Sequence, residues 1–360
     1  MVAKSILPSF VEKIIDSGAL GVIVEELSIY SHSAILLKEA NIPTLISKTI
    51  NSKEAIILDT LSGVIVPNPT KDDLILANRR TQEYKKSKDI AFEHRFDKAI
   101  TKKDREIKVL ANIGDLASAQ KAKSNGADGV GLFRSEFLFT EKKPSLEEQI
   151  KSYREIFELF DDITIRTLDV GGDKKLPYIK IDKEDNPFLG IRGIRLLTTH
   201  REIIKEQIKA ILLASNNIKI MFPMISNIDE FKEAKNLSIK IAKENNIDIS
   251  NIKFGMMIEV PSVLYMLDEF DKLVDFYSIG TNDLIQYLFA TDRTHQSLKI
   301  EDISIVFKII KDIKAKTTKP LSICGEIAGD NIDKLLEIGI DTISLSSNLI
   351  PQTKEYIRNV

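Results

Sequence analysis

The chain has 360 residues, enough for about two domains. Hydrophobic residues make up 43% and charged residues 29%, with a net charge of −2, so there is material for a large core and no basic footprint for nucleic acid or a membrane surface. The single cysteine excludes an internal disulfide, the opening "MVAKSILPSFVEKII" has no signal-peptide pattern, and no apolar run reaches the length of a membrane span, which together predict a cytoplasmic protein.

Residues 1–69 carry short apolar strands, "LGVIVEE", "IPTLIS", "EAIILD" and "GVIVPNP", with the amphipathic stretch "SHSAILLKEA" among them. A highly charged run without Gly or Pro follows over residues 70–99 and predicts a solvent-facing linker helix. If wholly helical it would be about 45 Å long at ~1.5 Å per residue. From residue 100 to 360, eight apolar, β-rich runs alternate with helical patterns: "IKVLANI", "GVGLFR", "ITIRTLDV", "IKIMFPMI", "FGMMIEV", "FYSIG", "LSICGE" and "TISLSS". Strands buried on both faces and separated by helices predict a parallel sheet, and eight of them suit a (β/α)8 barrel. A doubly wound open sheet is the alternative, weakened because no Gly-rich dinucleotide fingerprint follows the first strand.

The C-terminal ends of these runs carry reactive groups where packing residues and turns are expected: Asn112, Arg134 with Glu136, Arg166 with Asp169, Glu259, Asn282 with Asp283, and Cys324 with Glu326. Six of eight strands ending this way predicts one convergent site on the C-terminal face of the barrel. Arg134, Arg166 and the later Arg293 suit phosphate and carboxylate oxygens. Glu259 and Asp283 suit a hard cation such as Mg²⁺, which takes one or two carboxylates plus substrate oxygens. A small phosphorylated acid satisfies both halves. Cys324 reads either as a proton donor or nucleophile, or as a small core hydrophobe. Asn282-Asp283 alone also reads as a helix cap, and the Arg–acid pairs as structural ion pairs. His32, in "SIYSHSAILLKEA", falls at a helix N-terminus, a place suited to an added phosphate. Local sequence alone favours the reading in which Ser31 or Ser33 is the cap and His32 is surface.

The segments "GVGLFRSEFLF", "RTLDVGGDKKLPY", "NPFLGIRGIRL", "GMMIEVPS", "FYSIGTNDLIQYLFATDR" and "CGEIAGD" occur in the order found in enzyme I of the bacterial phosphoenolpyruvate–sugar phosphotransferase system, and "SHSAILLKEANIPTLI" resembles its phosphohistidine segment. The resemblance spans nearly the whole chain. It implies a small swivelling phosphohistidine domain (1–69), a helical linker (70–99) and a phosphoenolpyruvate-binding (β/α)8 barrel (100–360). It also implies roles: His32 takes the phosphoryl group, and Arg134, Arg166 and Arg293 surround the substrate phosphate. Lys174, Arg192 and Asn282 bind substrate, Glu259 and Asp283 hold Mg²⁺, and Cys324 protonates the enol carbon.

The activity implied is transfer of the phosphoryl group of phosphoenolpyruvate to His32 and onward to an HPr-like carrier, with release of pyruvate and a homodimer formed through the barrel. Before Ser31-His32 the family's Gly-Gly-x-Thr is replaced by Leu27, Ser28, Ile29 and Tyr30, and after Arg293 its loop is replaced by "THQSLKIEDIS". The helical lobe that docks HPr is expected to be missing, so that the chain labels itself but passes phosphate to HPr poorly. The rival reading is a non-catalytic phosphoenolpyruvate sensor with another partner. A carbon–carbon lyase of the same barrel type would not need the phosphohistidine segment.

Overall fold

The structure, a computed structural model, describes residues 1–27, 31–40, 42–47, 55–140, 142–172, 176–292, 295, 298, 300, 302–325 and 327–360, with the backbone alone at residues 8, 32, 35 and 39. It divides into two compact units, Met1–Glu93 with Phe289–Glu301, and His94–Leu288 with Asp302–Val360.

The first unit contains β1 (Val2–Ala3), α1 (Pro8–Asp16), β2 (Val22–Val24), α2 (His32–Glu39), β3 (Thr44–Ile46), β4 (Ile56–Asp59), β5 (Val64–Pro67) and α3 (Lys71–Glu93). The strands β1, β2 and β3 form a parallel sheet in that order, and β4 and β5 form an antiparallel hairpin. A proline opens α1, where its missing N–H costs nothing. The apolar face of α1 puts Val11 and Ile14 in a core with Ile6, Val22, Val24 and Leu37. At two residues, β1 is too short to leave a pattern in the sequence. The charged run forms α3, in which Ala91 is the buried residue. The helix stops at Glu93, six residues short of the sequence expectation, and is about 35 Å long at ~1.5 Å per residue. The next residues are claimed by other contacts: Arg95 Nε donates to Ser124 O, and Ala99–Ile100 pairs with a strand.

The second unit opens with that short strand, β6 (Ala99–Ile100). The eight parallel strands follow: β7 (Glu106–Ile113), β8 (Val130–Arg134), β9 (Ile163–Arg166), β10 (Lys219–Phe222), β11 (Lys253–Ile258), β12 (Phe276–Gly280), β13 (Leu321–Cys324) and β14 (Thr342–Ser346). Each pairs with the next, and β14 pairs back onto β7 with Ser346 opposite Asn112, so the sheet closes into a barrel. The strands coincide with the eight apolar runs, and closure excludes the open sheet. The helices are α4 (Leu116–Ser124), α5 (Leu146–Phe157), α6 (Leu196–Thr199), α7 (Arg201–Ala214), α8 (Ile228–Glu244), α9 (Leu267–Phe270), α10 (Thr281–Leu288), α11 (Ser304–Lys316), α12 (Ile327–Asp330), α13 (Ile332–Ile338) and α14 (Ile350–Arg358). Their starts follow the sequence: Asp115, Ser145 and Asn227 each accept an N–H of the first turn, and Asp115 and Ser145 complete reciprocal capping boxes. Inside the barrel, Leu132, Met221, Met257, Phe276 and Cys324 form one apolar cluster. Among the described residues no helix is long and apolar enough to cross a membrane.

Candidate active site

Five strand ends deliver the candidate side chains to the same end of the barrel. Arg134 is the last residue of β8, Arg166 of β9 and Cys324 of β13. Glu259 directly follows β11, and Asn282 and Asp283 lie in the first turn of α10, directly after β12. The two α10 residues therefore sit inside the helix and not at the cap position. Parallel strands in one barrel all point the same way, so residues at their C-terminal ends meet on one face.

Arg166 is buried. Its Nη2 donates to Glu136 Oε1 at 2.6 Å, and its Nη1 lies 3.0 Å from Asp169 Oδ2. Burial opposes its charge, but Glu136, Asp169 and Glu259 outweigh that and hold its pKa above the ordinary value. Its Nε has no hydrogen-bond partner among the described residues. Arg134 is half-buried, and its side chain makes no hydrogen bond or ion pair among the described residues. These two arginines thus keep donor capacity that neighbouring carboxylates do not use.

Arg192, expected on the substrate side, is fully buried. Nε and Nη2 donate to Asp169 at 3.0 and 3.1 Å, and Nη1 and Nη2 donate to Asp283 at 2.8 and 2.9 Å. It clasps the segment after β9 to the start of α10. The backbone reaches this position past Gly171, whose φ of +111° lies in the left-handed region; a Cβ there would stand 2.2 Å from Ile191 O. The first glycine of "DVGGDK" is thereby explained by packing.

Glu259 is buried, and its Oε1 accepts the N–H of Met224 at 2.6 Å. Burial, followed by the negative charges of Asp283 and Asp169, pushes its pKa up to about 8, against the pull of Arg192 and Arg166. Among the described residues no group of three or more His, Cys, Asp or Glu is placed to hold a metal alone. Glu259 with Asp283 supplies the one or two carboxylates that Mg²⁺ takes when substrate oxygens complete its shell, so the residues present fit that ion.

Cys324 is buried. Its thiol donates to Ile279 O at 3.3 Å and accepts from Ser278 Oγ at 3.4 Å. Burial pushes its pKa up to about 11, which keeps it a protonated thiol at neutral pH. That state suits a proton donor and not a thiolate nucleophile.

At the other candidate position, Ser31 is the N-cap of α2 and accepts the N–H of Ala34 at 3.3 Å. Ser33 is buried and donates to Ile6 O at 2.8 Å. His32 is the first helical residue; its side chain lies outside the described residues, as do Lys174, Arg293, Glu326 and the flank from Ser28 to Tyr30. Strand-end reasoning missed Gln207 of α7, whose buried amide accepts the N–H of Leu168 behind the arginines. The signal was present: Gln207 falls on the apolar stripe Ile204, Ile208, Ile211 of its helix.

Comparison with known proteins identifies the family. The family described as PEP-utilising enzyme, PEP-binding domain, matches residues 90–360. A phosphoenolpyruvate-protein phosphotransferase of Buchnera aphidicola subsp. Schizaphis graminum is 37% identical over 99% of this chain and 67% of its own length. One of Priestia megaterium is 37% identical over 92% of this chain and 62% of its own, and one of Listeria monocytogenes is 32% identical over 100% and 67%. The chain thus spans roughly two thirds of the length of these curated relatives. Among solved structures, a thiamine phosphate pyrophosphorylase from Pyrococcus furiosus matches with a TM-score of 0.39 and 12% identity over 70% of this chain and 96% of its own, a likeness that carries no argument. The barrel, the residues at its mouth and these relatives place the chain in the family of phosphoenolpyruvate-utilising enzymes, with the phosphoenolpyruvate-protein phosphotransferases.

Proposed function

We propose that the barrel binds phosphoenolpyruvate at its C-terminal mouth and that the chain transfers the phosphoryl group to His32, releasing pyruvate. The observation that carries this reading is the meeting of Arg134, Arg166, Glu259, Asp283 and Cys324 at the ends of five different strands, in a chain whose relatives are named for that transfer. Arg134 and Arg166, with donors not used by neighbouring carboxylates, bind the phosphate. Arg293 completes that set, Lys174 and Asn282 hold the substrate, and Arg192 fixes the carboxylates Asp169 and Asp283. Glu259 and Asp283 hold Mg²⁺, which when bound neutralises charge on the transferring group.

The P–O bond of phosphoenolpyruvate breaks and a P–N bond to the His32 imidazole forms. The enolate left behind takes a proton at its methylene carbon from the Cys324 thiol, and the sulfur is reprotonated from solvent. Onward passage to an HPr-like carrier and a homodimer through the barrel belong to the same reading; both rest on the resemblance. Calorimetry with phosphoenolpyruvate and Mg²⁺ tests the binding step. Saturable binding, lost in Arg166→Ala and made Mg²⁺-independent or lost in Glu259→Ala, is expected; absence of binding by the parent chain overturns the reading.

A further inference from the structure

Behind the arginines lies a polar network that the transfer reaction does not itself use. Gln207, on α7, is fully buried and so are its partners Ser135, Tyr153 and Leu168. Its Oε1 accepts the N–H of Leu168 at 2.8 Å. Its Nε2 donates to Ser135 Oγ at 2.8 Å and to Tyr153 O–H at 3.2 Å. Because a backbone N–H can only donate, Leu168 fixes which way the amide faces. Ser135, accepting from Gln207, is left to donate, and it donates to Arg166 O at 2.7 Å. Tyr153 cannot drift, since Phe133 meets its ring edge-on and Phe157 stacks on it, with centroids 5.9 and 6.0 Å away. One carboxamide therefore holds the chain at two points from Arg166 onward: at the carbonyl of Arg166 through Ser135, and at the N–H of Leu168 two residues on. Ser135 also directly follows Arg134, so the same amide pins the turn that carries Arg134 and Glu136.

We infer that Gln207 is a positioning residue: its buried carboxamide sets the backbone on which Arg134 and Arg166 stand, and thereby the affinity of the site for the substrate's phosphate. This rests on the reading of the barrel mouth as a phosphoenolpyruvate site. A bare structural amide in a helix–barrel interface would contribute to stability alone. A positioning amide controls ligand affinity far more than stability explains, because small displacements of a polar clamp are costly to binding.

The test compares three variants of the full chain by phosphoenolpyruvate calorimetry with Mg²⁺, well below each unfolding temperature. Gln207→Leu removes every bond of the amide and is expected to weaken binding by about tenfold to a hundredfold. Gln207→Glu still accepts from Leu168 but has no N–H for Ser135 or Tyr153, and is expected to fall between Gln207→Leu and the parent. Lys354→Met, at the opposite end of the barrel, breaks the buried bonds of Lys354 Nζ to Gly126 O and Asp128 Oδ1 at 2.9 and 2.8 Å. It is expected to lower the melting temperature and keep the parent's affinity. If the parent binds and Gln207→Leu binds within about twofold of it, on the scale where tenfold is ~1.4 kcal/mol, the inference is wrong while the site reading stands. If Gln207→Leu does not fold, Gln207→Glu carries the test, and parental affinity in it refutes the inference. If the parent itself does not bind, the underlying reading has failed and this inference with it.

Discussion

Arg192 faces Asp283 as a two-pronged pair, Nη1 to Oδ1 at 2.8 Å and Nη2 to Oδ2 at 2.9 Å, between residues 91 positions apart in the chain. Both side chains are buried, and the same guanidinium also binds Asp169. Removing the cation takes two charge-assisted bonds from each of the buried carboxylates Asp283 and Asp169, although Asp169 keeps Arg166. Arg192→Met is therefore expected to destabilise the barrel by about 3–5 kcal/mol. Combining it with Asp283→Asn is expected to cost less than the two losses added, because the neutral amide no longer needs the cation. Urea unfolding of the four members of that cycle measures the coupling; strict additivity would show the pair to be independent.

Gly171→Ala should act on the same clasp through the backbone. A side chain at φ +111° is strained, and the added carbon would meet Ile191 O at 2.2 Å, next to Arg192. A loss of about 2–4 kcal/mol is expected, together with weaker phosphoenolpyruvate binding. Unchanged stability would mean that the chain from Gly171 to Arg192 can shift freely.

The Cys324 thiol gives a pH signature. With its pKa raised from the ordinary value near 9 to about 11, the folded chain holds that proton more tightly than the unfolded chain. Its contribution to stability is fully present below pH 9 and is lost as pH rises towards 11. The chain has one cysteine, so methanethiosulfonate labelling reports on this site alone. The folded protein should show no inflection in labelling rate up to about pH 10, and the urea-unfolded chain should inflect near the ordinary thiol value. An inflection at or below neutral pH in the folded protein would identify a reactive thiolate.

In the first unit, Ser31 and Ser33 have separable parts. Ser31→Ala loses the cap of α2 and is expected to cost about 1 kcal/mol. Ser33→Ala loses a buried bond to Ile6 O, with an expected cost of about 1–2 kcal/mol. Amide exchange in α2 and β2 reads both; no change in either variant would mean that the helix start is held by other contacts.

The barrel was legible because eight apolar runs, each buried on both faces, leave few other architectures, and because reactive residues recur where strands stop. Closure itself depends on Ser346 lying opposite Asn112, a pairing across more than half the chain that no local pattern encodes. The arginines and acids of the site could be named from type and place. Their partners could not: Arg192 meets Asp283, and Gln207 meets Leu168, through the folded barrel alone. The end of α3 shows the same limit, since nothing in the charged run itself forbids another two turns, and the stop comes from contacts made by Arg95 and by Ala99–Ile100.

The claim at the centre of the account is that this chain takes a phosphoryl group from phosphoenolpyruvate onto His32, and intact-protein mass spectrometry tests it most directly. After incubation with phosphoenolpyruvate and Mg²⁺, the chain should gain the mass of one phosphoryl group, lost on brief acid treatment, stable in alkali, and absent in His32→Ala. No gain by a parent chain that binds phosphoenolpyruvate, or an undiminished gain in His32→Ala, would contradict it.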